Sequence, residues 1–176
     1  RIDGQNQSSQ AALGEYCACV WLTPQMDRLF QDSAGQRRRF FDRLIAVFDP
    51  GHIGRLTRYE NAMGQRSKLL KDGQMDDHWL SGLEAQMAET GVAIAAARIE
   101  FAATLSASMQ EQTHDHFPSS HLSVSGTIEG LLNTAKALEV EDMFAYQLRE
   151  SRSADAITGG AATGPHKSDL SVRYGD

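Results

Sequence analysis

The sequence predicts an α+β chain that is predominantly helical, and three observations predict it. Only 7% of its 176 residues are aromatic while alanine is plentiful, a balance that favours helix–helix packing over a β-sandwich or barrel. Long segments between Ala34 and Gln112 carry apolar residues at helical spacing. Alternating, strand-like stretches are short and lie towards the two ends, at Cys17–Leu22, His121–Gly126 and Leu170–Tyr174. With 41% hydrophobic and 23% charged residues, the chain can bury a real core in one domain with an appendage.

In chain order, RIDG followed by QNQSSQ reads as the end of a hairpin strand and a polar connection. The strand Cys17–Leu22 then stops at Thr23 and Pro24. Cys17 and Cys19 share one face of it, which favours core-facing thiols; a metal or redox pair is the alternative, but structural zinc takes about four ligands at wider spacing. A helix begins near Ser33 or Ala34, where Asp32 or Ser33 can cap it, and ends at the breakers Asp49-Pro50-Gly51.

A second helix, Ile53 to Lys71, puts Leu56, Met63 and Leu70 on an inward stripe. Arg55, Arg58, Ala62 and Arg66 fall on a neighbouring face, by the roughly 100° step per residue, and that face reads as cationic. Asp72-Gly73 ends the helix. The longest helix runs from about Asp77 to Gln112, with Leu80, Leu83, Met87, Ile94, Ala97, Phe101 and Leu105 forming a coiled-coil-like seam interrupted at Gly91. The second and third helices are expected to lie antiparallel as an arm. A plain bundle helix fits the same spacing.

His114, Asp115, His116, Pro118 and His121 close that helix. A histidine cluster invites a metal, and hence a small hydrolase, but imidazolium at a helix C-terminus and a solvated loop account for it without a zinc-like ligand set. Two further helices, Ile128–Ala137 and Val140–Ser153, lead into TGGAATGPHKSDL and the final strand.

No apolar stretch reaches the roughly 18 residues of a membrane span, and the polar N-terminus has no signal-peptide character, so a soluble cytoplasmic protein is expected. A start at Arg1 without methionine and an end in SDLSVRYGD read as a piece of a longer chain. Net charge is −6, unevenly distributed. Arg37 to Lys71 holds nine basic and three acidic residues, a net of +6, whereas Gln74 to Asp155 holds four and thirteen, a net of −9. The first segment is suited to meeting an anion and the second is not.

Three stretches, RIDG, WLTPQMDRLF with DSAGQRRRFFDRL after it, and GPHKSDLSVR, occur in an order and spacing that resemble the RecF family of recombination-repair ATPases. The heads of that family are similar to ABC-type and SMC-type ATPases. The resemblance implies a helical arm of antiparallel helices inserted in a partial ABC-type ATPase head. Residues 1–32 would end the nucleotide-binding lobe with its lid or Q-loop, 33–118 would form the arm, and 119–176 would return to the head. It further implies a role in DNA repair, replication and the SOS response.

Under that resemblance Gln25, in WLTPQ, is the candidate nucleotide sensor, since a neutral donor and acceptor on a hinge can report phosphate occupancy; a helix-start glutamine after a proline is the alternative. Gly164, Pro165, His166, Lys167 and Asp169 are candidates for organising a head-to-head surface, or else for a capped turn before a strand. No GxxxxGK[ST] run occurs in the sequence. The family's phosphate loop is expected upstream of RIDG, and its signature serine and magnesium-binding strand downstream of DLSVR. ATP and Mg²⁺ are therefore expected as cofactors of the complete protein, with no cofactor, metal ligand or catalytic residue in this chain.

The leading expectation is sequence-independent DNA binding through Arg37, Arg38, Arg39, Arg43, Arg55, Arg58, Arg66, Lys68 and Lys71. The alternative is a protein-interaction arm whose acidic third helix and seam dock a recombination mediator or a second copy, without DNA contact.

Overall fold

A computed structural model describes residues 20–21, 23–73, 76–111 and 120–174. Of the strand expected over Cys17–Leu22 only Val20 and Trp21 are described, and neither lies in a strand; the RIDG opening, Cys17, Cys19, Leu22, His114, Asp115, His116 and Pro118 lie outside these residues. A 3-10 turn, Pro24–Arg28, leads to α1 (Ala34–Phe48), α2 (Gly51–Lys71) and α3 (Asp77–Glu111). Then come β1 (Ser120–Ser125), α4 (Thr127–Leu132), α5 (Ala137–Glu150), α6 (Arg152–Thr158), a 3-10 turn at Pro165–Lys167 and β2 (Asp169–Tyr174).

The breakers act at the expected places with small shifts. Asp49 ends α1 by donating its N–H to the Ile45 carbonyl, and Pro50 becomes the cap of α2, which starts at Gly51 rather than Ile53. Pro suits a helix start because its fixed φ is helical and its missing N–H is not needed there. Gly73, at φ 70°, turns the chain out of α2. Asp76 caps α3, its side chain accepting from the Trp79 N–H at 3.0 Å.

α2 and α3 pack as an antiparallel pair, but α3 is also covered by α5, α4, α1 and β1. Leu80, Met87 and Ile94 are fully buried, together with Tyr59, Ile128, Val140, Phe144 and Leu148. The Leu80–Ile94 part of the seam is thus filled by the protein's own core, and that part is not open for docking a partner. Gly91 does not interrupt it. A Cβ there would sit 3.0 Å from Phe144, 3.1 Å from Tyr59 and 3.3 Å from Pro165, so glycine lets α2, α5 and the Pro165 turn converge on α3.

By length and composition α3 is the one helix among the described residues apolar enough to cross a membrane, with mean hydropathy 1.3 over its best window. The sequence reading missed this because charged residues are spread along the helix. Glu84 and Arg98 on it are buried and ion-paired, and α1, α2, α4, α5 and β1 pack against it, while 33% of that window is buried.

A second cluster, Phe41, Ile45, Ala102, Leu122 and Leu170, seats the β1–β2 ribbon on α1 and the C-terminal half of α3. The two strands are antiparallel, Ser120 opposite Tyr174 and Ser125 opposite Asp169. Ser106 of α3 accepts the Leu122 N–H at 2.8 Å. The helix expected over Val140–Ser153 is two. Ser151 bonds the Leu148 carbonyl at 3.1 Å and Asp155 at 2.6 Å, ending α5 and opening α6. The helix expected over Ile128–Ala137 stops at Leu132.

Candidate nucleic-acid interface

The cations of α1 and α2 divide into two sets. Arg66, expected on an outer face, is 1% exposed. Its Nε donates to Glu84 at 3.0 Å, Nη1 to Asp155 at 2.7 Å and Nη2 to the Leu148 carbonyl at 2.5 Å. Arg152 joins from α6, its Nε and Nη2 donating to the two oxygens of Glu84 at 2.8 and 2.6 Å and its Nη1 to Asp77 at 2.6 Å. Hydrogen bonds to Glu84 hold the Arg152 guanidinium well above its ordinary pKa. This network ties α2, α3, α5 and α6 together and removes Arg66 from any surface. Ala62, one turn earlier, is buried too, so the face read as cationic on α2 is a packing face at Ala62 and Arg66, half-buried at Arg55 and exposed at Arg58.

A second network takes Arg37 and Arg38 inward. Arg37 grips Asp169 with two bonds, Nε at 2.7 Å and Nη2 at 2.8 Å, and donates Nη1 to the Asp32 carbonyl at 2.6 Å. The Arg37 guanidinium in turn holds the Asp169 carboxyl below its usual range. Arg38 donates to the Ser168 carbonyl at 2.5 Å, and Arg98 to the Pro165 carbonyl at 2.6 Å. Arg98 also holds both oxygens of buried Asp42, at 2.9 and 2.8 Å, while His52 bonds Asp42 at 2.9 Å. Burial pushes Asp42 up, yet the bonds from His52 and Arg98 outweigh it and leave its carboxyl below the ordinary range.

The turn Gly164-Pro165-His166-Lys167-Ser168-Asp169 is locked onto the helices by these bonds. Gly164 has φ 141°, and a Cβ there would run into the Tyr59 hydroxyl. His166 Nε2 lies 2.9 Å from the Ala161 carbonyl, which can only accept, so Nε2 carries the proton and Nδ1 accepts from Tyr59 at 2.8 Å. Burial pushes the imidazole below its ordinary pKa, with Lys167, Arg38 and Arg98 adding to the effect against the Ala161 bond. Burial also pushes the Tyr59 phenol up. Ser168 donates to buried Glu129 at 2.6 Å. Of the residues expected at a head surface, Gly164 and Pro165 are buried, His166 and Asp169 are engaged inward, and Lys167 is exposed.

Arg55 forms an ion pair with Asp49 across the α1–α2 corner. That leaves Arg39, Arg43, Arg58, Lys68 and Lys71 as exposed cations with no carboxylate partner among the described residues. Arg39 and Arg43 are one turn apart on α1, and Arg43 stacks over Trp21, 5.7 Å from its ring centre. Trp21 is itself half exposed. Sequence reasoning missed this aromatic at the cationic face, although WLTPQ and the RRR run were both in view. Gln25 falls in the first 3-10 turn, and its side chain lies outside the described residues. His121 is exposed on β1, and no group of three metal-binding side chains occurs among the described residues.

A helical hairpin capped by short helices and closed by a two-stranded return ribbon is a predominantly helical α+β lobe. The chain belongs to the RecF family of DNA replication and repair proteins. It is 46% identical to RecF of Mesorhizobium japonicum over 176 residues, covering 99% of this chain and 46% of that protein. RecF of Allorhizobium ampelinum is 42% identical over 175 residues, with 99% and 46% covered, and that of Agrobacterium fabrum 40% over 177, with 100% and 47%.

The chain therefore spans about half the length of the curated relatives it matches. Solved structures of the recombination mediator protein RecF in the RecFOR pathway superpose with TM-scores of 0.79 and 0.74, each at 19% identity. The first covers 95% of this chain and 46% of that one, the second 86% and 42%. No family model matches the sequence.

Proposed function

We propose that this lobe contacts DNA, single-stranded or gapped, within a RecF-type recombinational repair and replication protein that binds ATP in its complete form. One observation carries the reading: Arg39, Arg43, Arg58, Lys68 and Lys71 are exposed and have no carboxylate partner among the described residues, although acidic residues outnumber basic ones in the chain as a whole. Guanidinium and ammonium groups so placed neutralise phosphates without reading bases, so binding is sequence-independent and weakens with salt. Exposed Arg-rich helix faces are also common as mere solvated surface, and the family's role in DNA repair is what tips the balance.

Nucleotide chemistry is assigned to other parts of the RecF-type protein. No GxxxxGK[ST] run is present, and the guanidiniums beside the GPHKSDL turn are already bonded to protein oxygens. That donor set does not fit a phosphate cradle, so no step through ATP or Mg²⁺ is derived from it. Lys167 is the residue of the turn free to meet a second head. We place the protein in the cytoplasm, as DNA contact requires in a bacterial relative.

The test is fluorescence anisotropy of a gapped duplex titrated with the chain at low and moderate salt, beside the Arg39/Arg43/Arg58→Glu triple variant. Arg55 and Arg66 are left unchanged because both are ion-paired. Salt-dependent binding lost in the variant supports the reading; absence of binding at low salt contradicts direct contact by this lobe.

A second reading has its own observation. On α5 the apolar Leu138, Met143 and Tyr146 are 74%, 45% and 64% exposed, among Glu139, Asp142 and Glu150. An acidic, partly apolar face suits a basic segment of a recombination mediator or of a second copy. Intact mediator binding by the triple variant, lost on Tyr146→Glu, would favour it.

A further inference from the structure

The tip of the α2–α3 hairpin carries a tryptophan that the core does not use. Trp79 sits in the first turn of α3 and is 53% exposed, whereas Leu80 beside it is fully buried. Its indole borders a recess of about 310 Å³ against the last turns of α2, lined also by Gln65, Lys68, Leu69 and Asp72. That volume reaches the lower end of small-ligand sites, roughly 300–1,000 Å³.

The charges around the recess are not equivalent. Asp76 is occupied in capping α3, and Asp77 is held by Arg152 at 2.6 Å. Lys68 and Lys71, in the last turn of α2, are exposed and have no carboxylate partner among the described residues. Asp72 faces the recess and disfavours phosphate directly over it. A strand lying here would keep its phosphates on the lysine side and turn a base towards the indole.

We propose that the hairpin tip is a stacking platform for one unpaired base of single-stranded DNA, with Trp79 against the base and Lys68 and Lys71 against the adjoining phosphates. This rests on the DNA reading above and adds a preference that phosphate contacts alone do not give. An aromatic face stacks on any base exposed in a single strand or gap, but not on one paired within a duplex.

The chain has two tryptophans, Trp21 and Trp79, so Trp21→Phe leaves Trp79 as the sole indole reporter. Titrating that variant with oligo-dT at low salt is expected to quench its emission. Trp79→Ala should weaken oligo-dT binding by about 5- to 150-fold while leaving fully paired duplex binding within about twofold. Trp79→Phe should recover most of the loss, which a merely structural role for the indole would not require.

If oligo-dT binds in a salt-dependent way with Trp79 unquenched and Trp79→Ala unaffected, the platform is overturned while the DNA reading stands. The exposed indole would then belong to a protein contact. If neither oligo-dT nor duplex binds, both fail together.

Discussion

Arg58 and Arg66 belong to one helix, carry the same charge and look interchangeable in the sequence, yet one is surface and the other is core. They stand eight residues apart, and at roughly 100° per residue they point about 80° away from each other. Arg58 meets solvent; Arg66 meets Glu84, Asp155 and the Leu148 carbonyl. The same split separates Arg39 and Arg43 from Arg37 and Arg38 on α1. A cluster of cations is thus two inventories, one that assembles the helices and one left exposed at the surface.

The sharpest way to break this contrast is to reverse both arginines of α2 separately. Arg66→Glu places a third carboxylate beside Glu84 and Asp155 in a buried site, and a loss of more than about 3–5 kcal/mol is expected, enough to unfold a chain of ordinary stability. Arg58→Glu should stay within about 0.5 kcal/mol. Urea unfolding followed by circular dichroism reads both.

Next comes Arg98→Met, which leaves buried Asp42 with His52 as its one side-chain partner among the described residues and strips the Pro165 carbonyl of the Arg98 donor. A loss of about 3 kcal/mol is expected in the same assay. Gly91→Ala should cost about 1–3 kcal/mol, because the new methyl meets Phe144, Tyr59 and Pro165 at 3.0 to 3.3 Å. An Ala variant as stable as the parent would mean that α5 and the Pro165 turn do not close on α3 as described.

The smallest effect is on pH. Burial holds the folded His166 below its ordinary pKa of 6.5, so on acidification the unfolded chain takes up that proton first. The contribution is complete above the ordinary value and shrinks as pH falls below it towards the folded pKa. Unfolding measured at about pH 7.5 and about pH 5.5 should show lower stability at the acid end. His166→Gln should flatten that difference. Asp42 adds its own loss only below its ordinary 3.8, as pH falls towards its depressed folded value.

Much of the helical frame was legible in the sequence because it is written in local signals. Asp49-Pro50-Gly51 and Asp72-Gly73 mark the ends of α1 and α2 by backbone geometry alone, and the GPHKSDL stretch marked the family. The buried cations were not legible. Arg66 finds its partners 18, 82 and 89 positions away, so helical periodicity could place it on a face without saying what covers that face. Gly91 likewise looked like a break because its reason lies in three distant elements. The division of α5 from α6 was missed because Ser151 and Asp155 read as ordinary polar residues until Arg66 was seen beneath them.

The claim that the exposed and buried cations are separate inventories is tested most directly by measuring oligo-dT affinity across a salt series for the chain and for Arg39/Arg43/Arg58→Gln, with urea unfolding run on both proteins. The account predicts unchanged unfolding and a slope of log affinity against log salt shallower by about 2 units, as expected when three phosphate contacts to a single strand are lost. An unchanged slope, or a variant that unfolds much more easily, would contradict it.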